Sequence, residues 1–308
     1  MNTAILFLVF NRPDTTSQVF EAIRKAKPPR LYVAADGPRL GRKEEIIKCK
    51  ETRLIATNVD WPCTVITLFR EENLGCKIAV SSAIDWFFER EEEGIILEDD
   101  ILPSQTFFSF CERLLIKYRN ESNVALISGC NPAERTFKNQ GNYSFSHYGL
   151  IWGWASWRRA WADYDVDIID WQNKKNEAKD WMSYSNPLYV SMWSNIFDSV
   201  ATGKVDTWDY QLNYMLMSKS KVSIIPCRNL IDNIGYGEDA THTVDGRPSW
   251  LLGASDMNIE SISYVVPKVN VTLDKHIGAL VFGITKWSLV KHYIKLMLKI
   301  IFKYKVKV

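Results

Sequence analysis

Residues 94–103 read Gly-Ile-Ile-Leu-Glu-Asp-Asp-Ile-Leu-Pro and join a strand pattern to an acidic cluster. An apolar run typical of a buried strand is followed directly by three carboxylates, Glu98, Asp99 and Asp100. Open α/β sheets bind ligands beyond the carboxyl ends of their strands, so a ligand site is expected here. Adjacent carboxylates repel one another, and such a cluster usually faces a cation or hydrogen-bond donors. A solvated acidic turn is the competing interpretation, and the stretch alone does not decide between the two.

Strand and helix patterns alternate upstream of this stretch. The alternation predicts a parallel, doubly wound α/β sheet flanked by helices. The glycines match neither a P-loop nor the G-x-G-x-x-G fingerprint, so nucleotide binding of those two types is not expected. The predicted strands are Ala4–Phe10, Leu31–Ala35, Thr64–Phe69 and Gly94–Leu97, and the predicted helices run from Pro13 to about Lys25, over 42–57 and over 77–90.

Polar residues follow the first two predicted strands. Arg12 lies between the carboxyl end of a strand and the start of a helix, a place that suits a phosphate group. Asp14 or Thr15 is expected to cap that helix. Asp36 ends the second strand, and the Gly-Pro turn after it places this carboxylate at the same sheet edge as Arg12. An ordinary surface arginine in a loop is the alternative for Arg12.

Four tryptophans fall within residues 152–161. Trp154, Trp157 and Trp161 have the i, i+3, i+7 spacing of one helix face, which predicts a helix packed into the core rather than a platform for sugar rings. Trp152 precedes that stripe and is the better candidate for contact with a ligand.

Upstream of the tryptophans, the sequence predicts a helix to about Tyr118, a strand at 124–128 and a polar loop over 131–147.

Two candidate functional residues lie further downstream. Asp209 falls in the first turn of a helix predicted to run from Asp206 to about Lys219, where a carboxylate either caps the helix or performs chemistry. His242 belongs to a long, polar, glycine-rich loop over 229–243, a type that often carries function. A lone histidine is usually structural or simply exposed, but near a carboxylate cluster it would complete a metal site.

The sequence also predicts two helices over 173–202, with a break at 186–187, and a strand over 222–225.

Composition narrows the class of protein. A net charge of +2 over 308 residues argues against a general nucleic-acid binder. Six scattered cysteines without a C-x-x-C pair favour reduced thiols in a cytoplasmic protein over disulfides or a zinc site. Ala4–Phe10 lacks a basic n-region and a cleavage site, so we interpret it as a strand and not as a signal peptide. The sequence contains no uncharged apolar run of about twenty residues, so no transmembrane helix is predicted.

The last segment, about 284–303, has a different character. Lysines at four-residue steps oppose an apolar helical stripe, and acidic residues are absent from Lys275 onward. Such a basic amphipathic helix is typical of a membrane interface with anionic lipid, and a helix docked on the domain with its lysines in water is the alternative. We therefore predict a domain over 1–275, with halves at 1–130 and 131–275, and a membrane-association segment over 276–308. The stripe comprises Trp287, Val290, Ile294, Met297, Ile301 and Tyr304, and the lysines are Lys291, Lys295, Lys299 and Lys303.

The order of these motifs resembles that of the nucleotide-diphospho-sugar transferases of the GT-A type, and more closely the bacterial relatives of the N-acetylglucosaminyltransferase I family. The motifs are strand–Asn-Arg, strand–Asp-Gly, Asn-Leu-Gly-x-Lys, strand–Glu-Asp-Asp, Trp-Gly-Trp, Trp-Asp and a late histidine, over about residues 3–245. The resemblance implies a GT-A fold, which is a Rossmann-like, mostly parallel mixed sheet flanked by helices.

The resemblance also implies roles on the donor side. Arg12, with Asn11 and Lys77, would contact the donor diphosphate or nucleoside, and Asp36 would sit at the base, usually uracil. Glu98 and Asp99 would contact the ribose or the waters of the metal. Asp100 would hold Mn²⁺ or Mg²⁺ directly, and hard oxygen ligands suit those ions.

On the acceptor side, the resemblance makes Asp209 the general base. Trp152 and Trp208 are acceptor-side candidates, and Glu238 and Asp239 are candidates there as well as fallback bases. His242 is a second candidate metal ligand. The chain departs from the family pattern at 210–211, where Tyr-Gln replaces a second acid and a tryptophan, so acceptor contacts are not carried over.

The expected function is therefore an inverting, metal-dependent transfer of a sugar from a nucleotide-diphosphate donor, usually a UDP-sugar. The acceptor would be a glycan or a lipid-linked molecule of bacterial surface polysaccharide synthesis, used at the inner leaflet by a cytoplasmic, peripheral enzyme. A non-catalytic protein that binds nucleotide sugars or glycans is one alternative. A sugar nucleotidyltransferase is the other, although Asn11-Arg12-Pro13 lacks the glycine-rich loop that such enzymes normally show. Donor sugar, linkage and oligomeric state are not predicted.

Overall fold

The computed structural model describes residues 1–137, 141–182, 187–236, 246–260, 262–285, 287, 288, 290, 291 and 294. An eight-stranded mixed sheet with helices packed on it forms the body of the protein, and a two-stranded sheet adjoins it. The strands are β1 (Ala4–Val9), β2 (Arg30–Ala35), β3 (Thr64–Phe69), β4 (Glu93–Glu98), β5 (Ile101–Pro103), β6 (Val124–Ser128), β7 (Tyr143–Ser146), β8 (Trp154–Trp157), β9 (Val222–Pro226) and β10 (Ile231–Asn233).

Helices connect and cover the strands. They are α1 (Pro13–Ala26), α2 (Lys43–Thr57), α3 (Gly75–Phe88), α4 (Gln105–Tyr118), α5 (Glu134–Phe137), α6 (Arg158–Trp161), α7 (Trp171–Lys174), α8 (Ala178–Trp181), α9 (Pro187–Ala201), α10 (Asp209–Ser218) and α11 (Val271–Val281), with a 3₁₀ turn at Lys175–Glu177.

The sheet has the order β3-β2-β1-β4-β8-β6-β9-β7. Strands β3, β2, β1 and β4 are parallel, and the chain first progresses from β1 to β3 and then returns to place β4 on the other side of β1. The junction of β1 and β4 is therefore a topological switch point, where the helices on either side leave a crevice beyond the strand ends. Leu8 pairs with Glu98 and Val9 with Ala35, which brings the residues after all three strands to one edge.

The parallel half confirms the α/β prediction. The four predicted strands agree with the observed ones to within one residue at each end, and the three predicted helices to within two. The capping prediction is wrong, because Arg12 occupies the cap position of α1 without a side-chain cap and the Thr15 hydroxyl instead contacts the Arg12 carbonyl. Pro13, whose missing N–H is harmless in the first turn, starts the helix.

The tryptophan helix is a second wrong prediction. Trp154 and Trp157 lie in β8, an antiparallel strand between β4 and β6, and only Trp161 lies in a helix. All four residues of β8 are buried, so the strand shows no alternation of polar and apolar residues that could reveal it. The core assignment is confirmed, since Trp154, Trp157 and Trp161 are at most 5% exposed.

Four further differences concern individual elements. β7 lies within the segment predicted to be a loop over 131–147, and β10 lies within the predicted loop over 229–243. Helix α10 begins at Asp209 rather than at Asp206. The predicted helix after the break at 186–187 is confirmed as α9, while the segment before it forms the short α7, 3₁₀ turn and α8.

Helix α11 packs against the β7 end of the sheet. Leu273 and Ile277 are fully buried, and Asp274 accepts hydrogen bonds from the backbone N–H of His147 at 3.1 Å and approaches its Nδ1 at 2.9 Å. The predicted domain boundary at 275/276 therefore falls inside a helix that is part of the core. Within the ranges described above, no helix is long and apolar enough to cross a membrane.

Helix α3 packs closely against the sheet at Gly94. A Cβ added there would lie 2.2 Å from Cζ of Phe87, a fully buried ring on α3. We expect Gly94→Ala to lower the free energy of unfolding by about 1–3 kcal/mol through overpacking. Gly253→Ala, whose nearest added contact is at 3.7 Å, should change it by less than about 0.5 kcal/mol. Urea unfolding measures both, and equal effects would contradict this packing.

Candidate functional site

A cleft of about 920 Å³ opens at the carboxyl ends of β1, β2 and β4. Its other walls come from the first turns of α3 and α10 and from the segment that carries Trp152. The switch point of the sheet explains the position, because the helices diverge there. Of the residues predicted from the sequence, Arg12, Asp36, Glu98, Asp99, Asp100, Trp152, Trp208 and Asp209 line this cleft.

The acidic cluster accepts hydrogen bonds from residues that follow β1. The Phe10 backbone N–H donates to Asp99 Oδ2 at 3.0 Å. Arg12 Nη1 donates to Asp100 Oδ2 at 2.7 Å and lies 3.9 Å from Asp99 Oδ1. Asp99 is only 7% exposed. The solvated acidic turn is therefore excluded, because Asp99 is buried, Asp100 is half-buried, and both accept hydrogen bonds from residues that follow β1.

The cluster holds more negative charge than Arg12 compensates. Burial, with Asp100 as the next contribution, raises the pKa of Asp99 to about 7, against the opposing effect of Arg12. Burial followed by the charges of Asp100, Asp99 and Asp209 raises the pKa of Glu98 well above its ordinary value. A further cation would lower all of these pKa values by favouring the ionised forms. The cleft is thus suited to a positively charged group.

Asp209 approaches the cluster from the opposite wall. It is the first residue of α10, where the helix dipole favours a carboxylate. Its Oδ1 accepts hydrogen bonds from the Thr207 hydroxyl and from the Tyr210 backbone N–H, the latter at 2.9 Å. Its Oδ2 makes no hydrogen bond to any residue that the structure describes. One oxygen is therefore fixed, and the other is available in the cleft.

Asp36 is occupied by protein donors. Its two oxygens accept from the backbone N–H groups of Gly37, Leu74 and Gly75 at 3.0–3.2 Å and from Asn73 Nδ2 at 2.9 Å. The carboxylate thereby fixes the turn that starts α3. Although it lines the cleft, its acceptor capacity is largely used by the chain itself.

Two predicted donor-binding residues do not line the cleft. Asn11 Nδ2 donates to Glu45 Oε1 on α2 at 2.9 Å. Lys77 Nζ donates to Asp167 Oδ1 at 2.8 Å. Both side chains instead join segments that are distant in sequence. Glu45 also binds Arg39, a residue that does line the cleft and stacks over Phe10 at 5.6 Å.

The aromatic candidates differ in character. Trp152 is half-buried and stacks on Trp250, with 5.5 Å between ring centroids and 19° between ring planes. Trp208 is 2% exposed and stacks on Trp154 at 6.0 Å, so it serves mainly the core. Trp152 therefore remains the better acceptor-side candidate. The predicted residues Glu238, Asp239 and His242 lie outside the described residues.

Several residues of the cleft were not predicted from the sequence, and Arg70 and Cys76 are two of them. Arg70 directly follows β3, and its Nη2 donates to Ser82 Oγ at 2.8 Å. Its Nη1 is buried without a hydrogen-bond partner among the described residues, and burial lowers its pKa. The signal was available, because a polar residue after a parallel strand is the pattern that identified Arg12 and Asp36. Cys76 has no comparable signal; burial and the nearby charges of Glu98 and Asp209 raise its pKa to about 12, so this thiol stays neutral.

The cluster has some of the features of a divalent-cation site. Asp100 offers hard carboxylate oxygens. A Cβ added to Gly235 would lie 2.1 Å from Oδ2 of Asp100, so a side chain at position 235 would clash with that oxygen. Over the described ranges, no three histidine, cysteine or acidic side chains converge as a complete ligand set. Mg²⁺ is commonly held by one or two carboxylates together with substrate phosphates and water. The residues present fit that mode of binding rather than a cage made of protein ligands alone.

Comparison with known proteins identifies no family. No protein-family model matches the chain, and no curated protein matches it. Among solved structures, HddC from Yersinia pseudotuberculosis and the same protein complexed with GMP-PN align at 12% identity with a TM-score of 0.27. The alignment covers 41% of this chain and 56% of that chain. So distant a likeness defines no common fold, and the function is inferred below from the chain's own residues.

The role of Asp36 as an anchor predicts a loss of stability on substitution. Asp36→Asn replaces a charged acceptor by an amide whose NH₂ group would face backbone N–H donors. We expect the free energy of unfolding to fall by about 2 kcal/mol, the range for hydrogen bonds to a charged group. Asp60→Asn, at a side chain that is 64% exposed, should change it by less than about 0.5 kcal/mol. Equal urea midpoints for Asp36→Asn and the unsubstituted protein would refute the anchor role.

Proposed function

We propose that this chain is a metal-dependent glycosyltransferase of the GT-A type. It would move a sugar from a nucleotide-diphosphate donor, with a UDP-sugar as the first choice, to a glycan or lipid-linked acceptor of bacterial surface polysaccharide synthesis, with inversion. The observation that carries the proposal is that one cleft at the switch point contains both the half-buried Arg12–Asp100 pair and, on the opposite wall, Asp209 with one fixed and one available oxygen.

The donor side supplies positive charge for a diphosphate. Arg12 lies at the N-terminus of α1, where helix N–H groups and the dipole add to the attraction for phosphate. Arg39 and Arg70 line the same wall near the ends of β2 and β3. The turn before α3 already satisfies the hydrogen-bond capacity of Asp36. We therefore assign recognition of the nucleoside to this wall as a whole, including Arg70, whose Nη1 has no hydrogen-bond partner among the described residues.

Asp100 is the residue that would hold Mn²⁺ or Mg²⁺ beside Arg12. Such an ion would supply Lewis-acid chemistry that offsets charge on the departing nucleoside diphosphate. Arg12, held by Asp100 at 2.7 Å, would orient and stabilise the same diphosphate through its guanidinium. Asp99, fixed by the Phe10 N–H, and Glu98 would hold the metal's water or the ribose by hydrogen bonds.

Asp209 is the proposed general base. Hydrogen bonds from Thr207 and Tyr210 fix its Oδ1, so the carboxylate keeps one orientation in the cleft. Its Oδ2 would take the proton of the acceptor hydroxyl as that oxygen attacks the anomeric carbon opposite the leaving group. Inversion needs one base and no protein nucleophile. The half-buried Trp152, supported by Trp250, offers an aromatic face for the ring of an acceptor sugar.

Substitution of the proposed base separates chemistry from binding. We expect Asp209→Asn to lower kcat for transfer from a UDP-sugar with Mn²⁺ by about 10²–10⁴-fold, the range for loss of a general base. The dissociation constant for UDP should stay within about twofold, since the amide keeps the shape of the carboxylate. Asp180→Asn, at an exposed position on α8, serves as the matched control and should leave both quantities unchanged.

The outcomes distinguish the rival functions. Full activity of Asp209→Asn would rule out this residue as the base. A protein that binds nucleotide sugars but transfers none to any glycan or lipid-linked acceptor would be the non-catalytic alternative. Formation of a nucleotide sugar from a nucleoside triphosphate and a sugar 1-phosphate would instead identify a sugar nucleotidyltransferase.

A further inference from the structure

The chain turns away from the domain just after α11. Phe282 stacks on Tyr148, with ring centroids 4.9 Å apart, and Ile284 still packs against the core. Between them, Gly283 has a φ of +65°, a backbone conformation that residues other than glycine rarely adopt. Ile284 is the last of the described residues that packs against the core.

A new helix begins immediately after this turn. The Ser288 backbone N–H donates to Thr285 Oγ1 at 3.1 Å, and the Thr285 N–H donates to Ser288 Oγ at 2.7 Å. These reciprocal bonds between the first residue and the one three positions later have the geometry of a capping box. Residues 287, 288, 290, 291 and 294 are helical. The helix therefore has its own start signal and is not a continuation of α11.

The apolar face of this helix lies in water instead of on the domain. Trp287, Val290 and Ile294 have i, i+3, i+7 spacing and are 76%, 47% and 52% exposed. That spacing puts all three on one side of a helix. A helix docked on the domain would bury these side chains, so the docked alternative considered from the sequence does not apply to these three residues.

The charge of the segment limits what can cover this face. Asp274 is the last acidic residue of the chain, and the lysines that follow are Lys275, Lys286, Lys291, Lys295, Lys299, Lys303, Lys305 and Lys307. A second copy of the chain would bring two such basic segments together, which repel each other. A nucleic acid would attract the lysines but offers no apolar environment for Trp287, Val290 and Ile294. An anionic lipid bilayer satisfies both features, because its headgroups attract lysine and its interface accepts tryptophan and aliphatic side chains.

We propose that the helix beginning at Thr285 docks this protein on an anionic lipid bilayer. Trp287, Val290 and Ile294 insert below the headgroups, while Lys291 contacts the lipid phosphates. The surface lies at the β7 end of the sheet, because α11 packs there. This docking goes beyond the proposed sugar transfer and does not depend on it.

Vesicle co-sedimentation of the full chain tests the docking. We expect binding to vesicles of phosphatidylcholine with about 30% phosphatidylglycerol, weaker binding to phosphatidylcholine alone, and release as salt is raised, as for polybasic segments. Trp287→Glu should weaken binding to the anionic vesicles by roughly tenfold or more, because it places a negative charge in the apolar face. Lys291→Gln should weaken it about fivefold, the effect of one lysine near an anionic surface.

Ile47→Glu is the matched control. Ile47 is 68% exposed on α2, which packs on β1 and β2 at the other end of the sheet. It should bind vesicles as the unsubstituted protein does. Failure of the full chain to bind anionic vesicles, or equal weakening by Ile47→Glu and Trp287→Glu, would overturn the proposal. So would a change from dimer to monomer on Trp287→Glu in sedimentation velocity without lipid, since a second copy would then be what covers the face. UDP binding, measured on the same samples, reports the proposed function separately.

Discussion

The site depends on the crowding of several carboxylates in a partly buried cleft at the end of β4. Arg12 binds Asp100, and the Phe10 N–H binds Asp99, but Glu98 and Asp209 add two more carboxylates to the same electrostatic environment. Burial disfavours ionisation, and each charge disfavours the next. Such a cluster lowers the stability of the folded protein, because a buried charge without a partner destabilises the folded state. In the proposed function, an external cation offsets this repulsion.

Sheet topology explains why these groups meet. The cleft opens where β4 is added on the opposite side of β1 from β2 and β3. The register of Leu8 with Glu98 sets Arg12 beside the acidic residues. The antiparallel β8 then brings the chain back across the sheet, so that Trp154 packs on Trp208 immediately before Asp209. The aromatic core thus sets the position of the proposed base, and the parallel half sets the position of the proposed donor site. The fold keeps the two on opposite walls.

The parallel half could be predicted from the sequence because its strands are continuous apolar runs separated by helix patterns and turn residues. β8 could not, because a short and fully buried segment has no period of its own, and the Trp154–Trp161 spacing matched a helix by coincidence. In the site, residues directly after strands were placed correctly, as Arg12, Asp36 and Asp100 show. The actual partners could not be foreseen. Asp36 with Asn73, Asn11 with Glu45 and Lys77 with Asp167 each join elements whose approach is decided by packing.

Titration of UDP into the protein by calorimetry, with and without Mn²⁺, tests the central claim most directly. If the acidic cluster is a shared site for a divalent cation and a diphosphate, UDP binds much more tightly with Mn²⁺ than without it. Asp100→Asn then abolishes the difference, while Asp180→Asn preserves it. UDP affinity that is the same with and without Mn²⁺, or a Mn²⁺ effect that survives Asp100→Asn, would contradict the account.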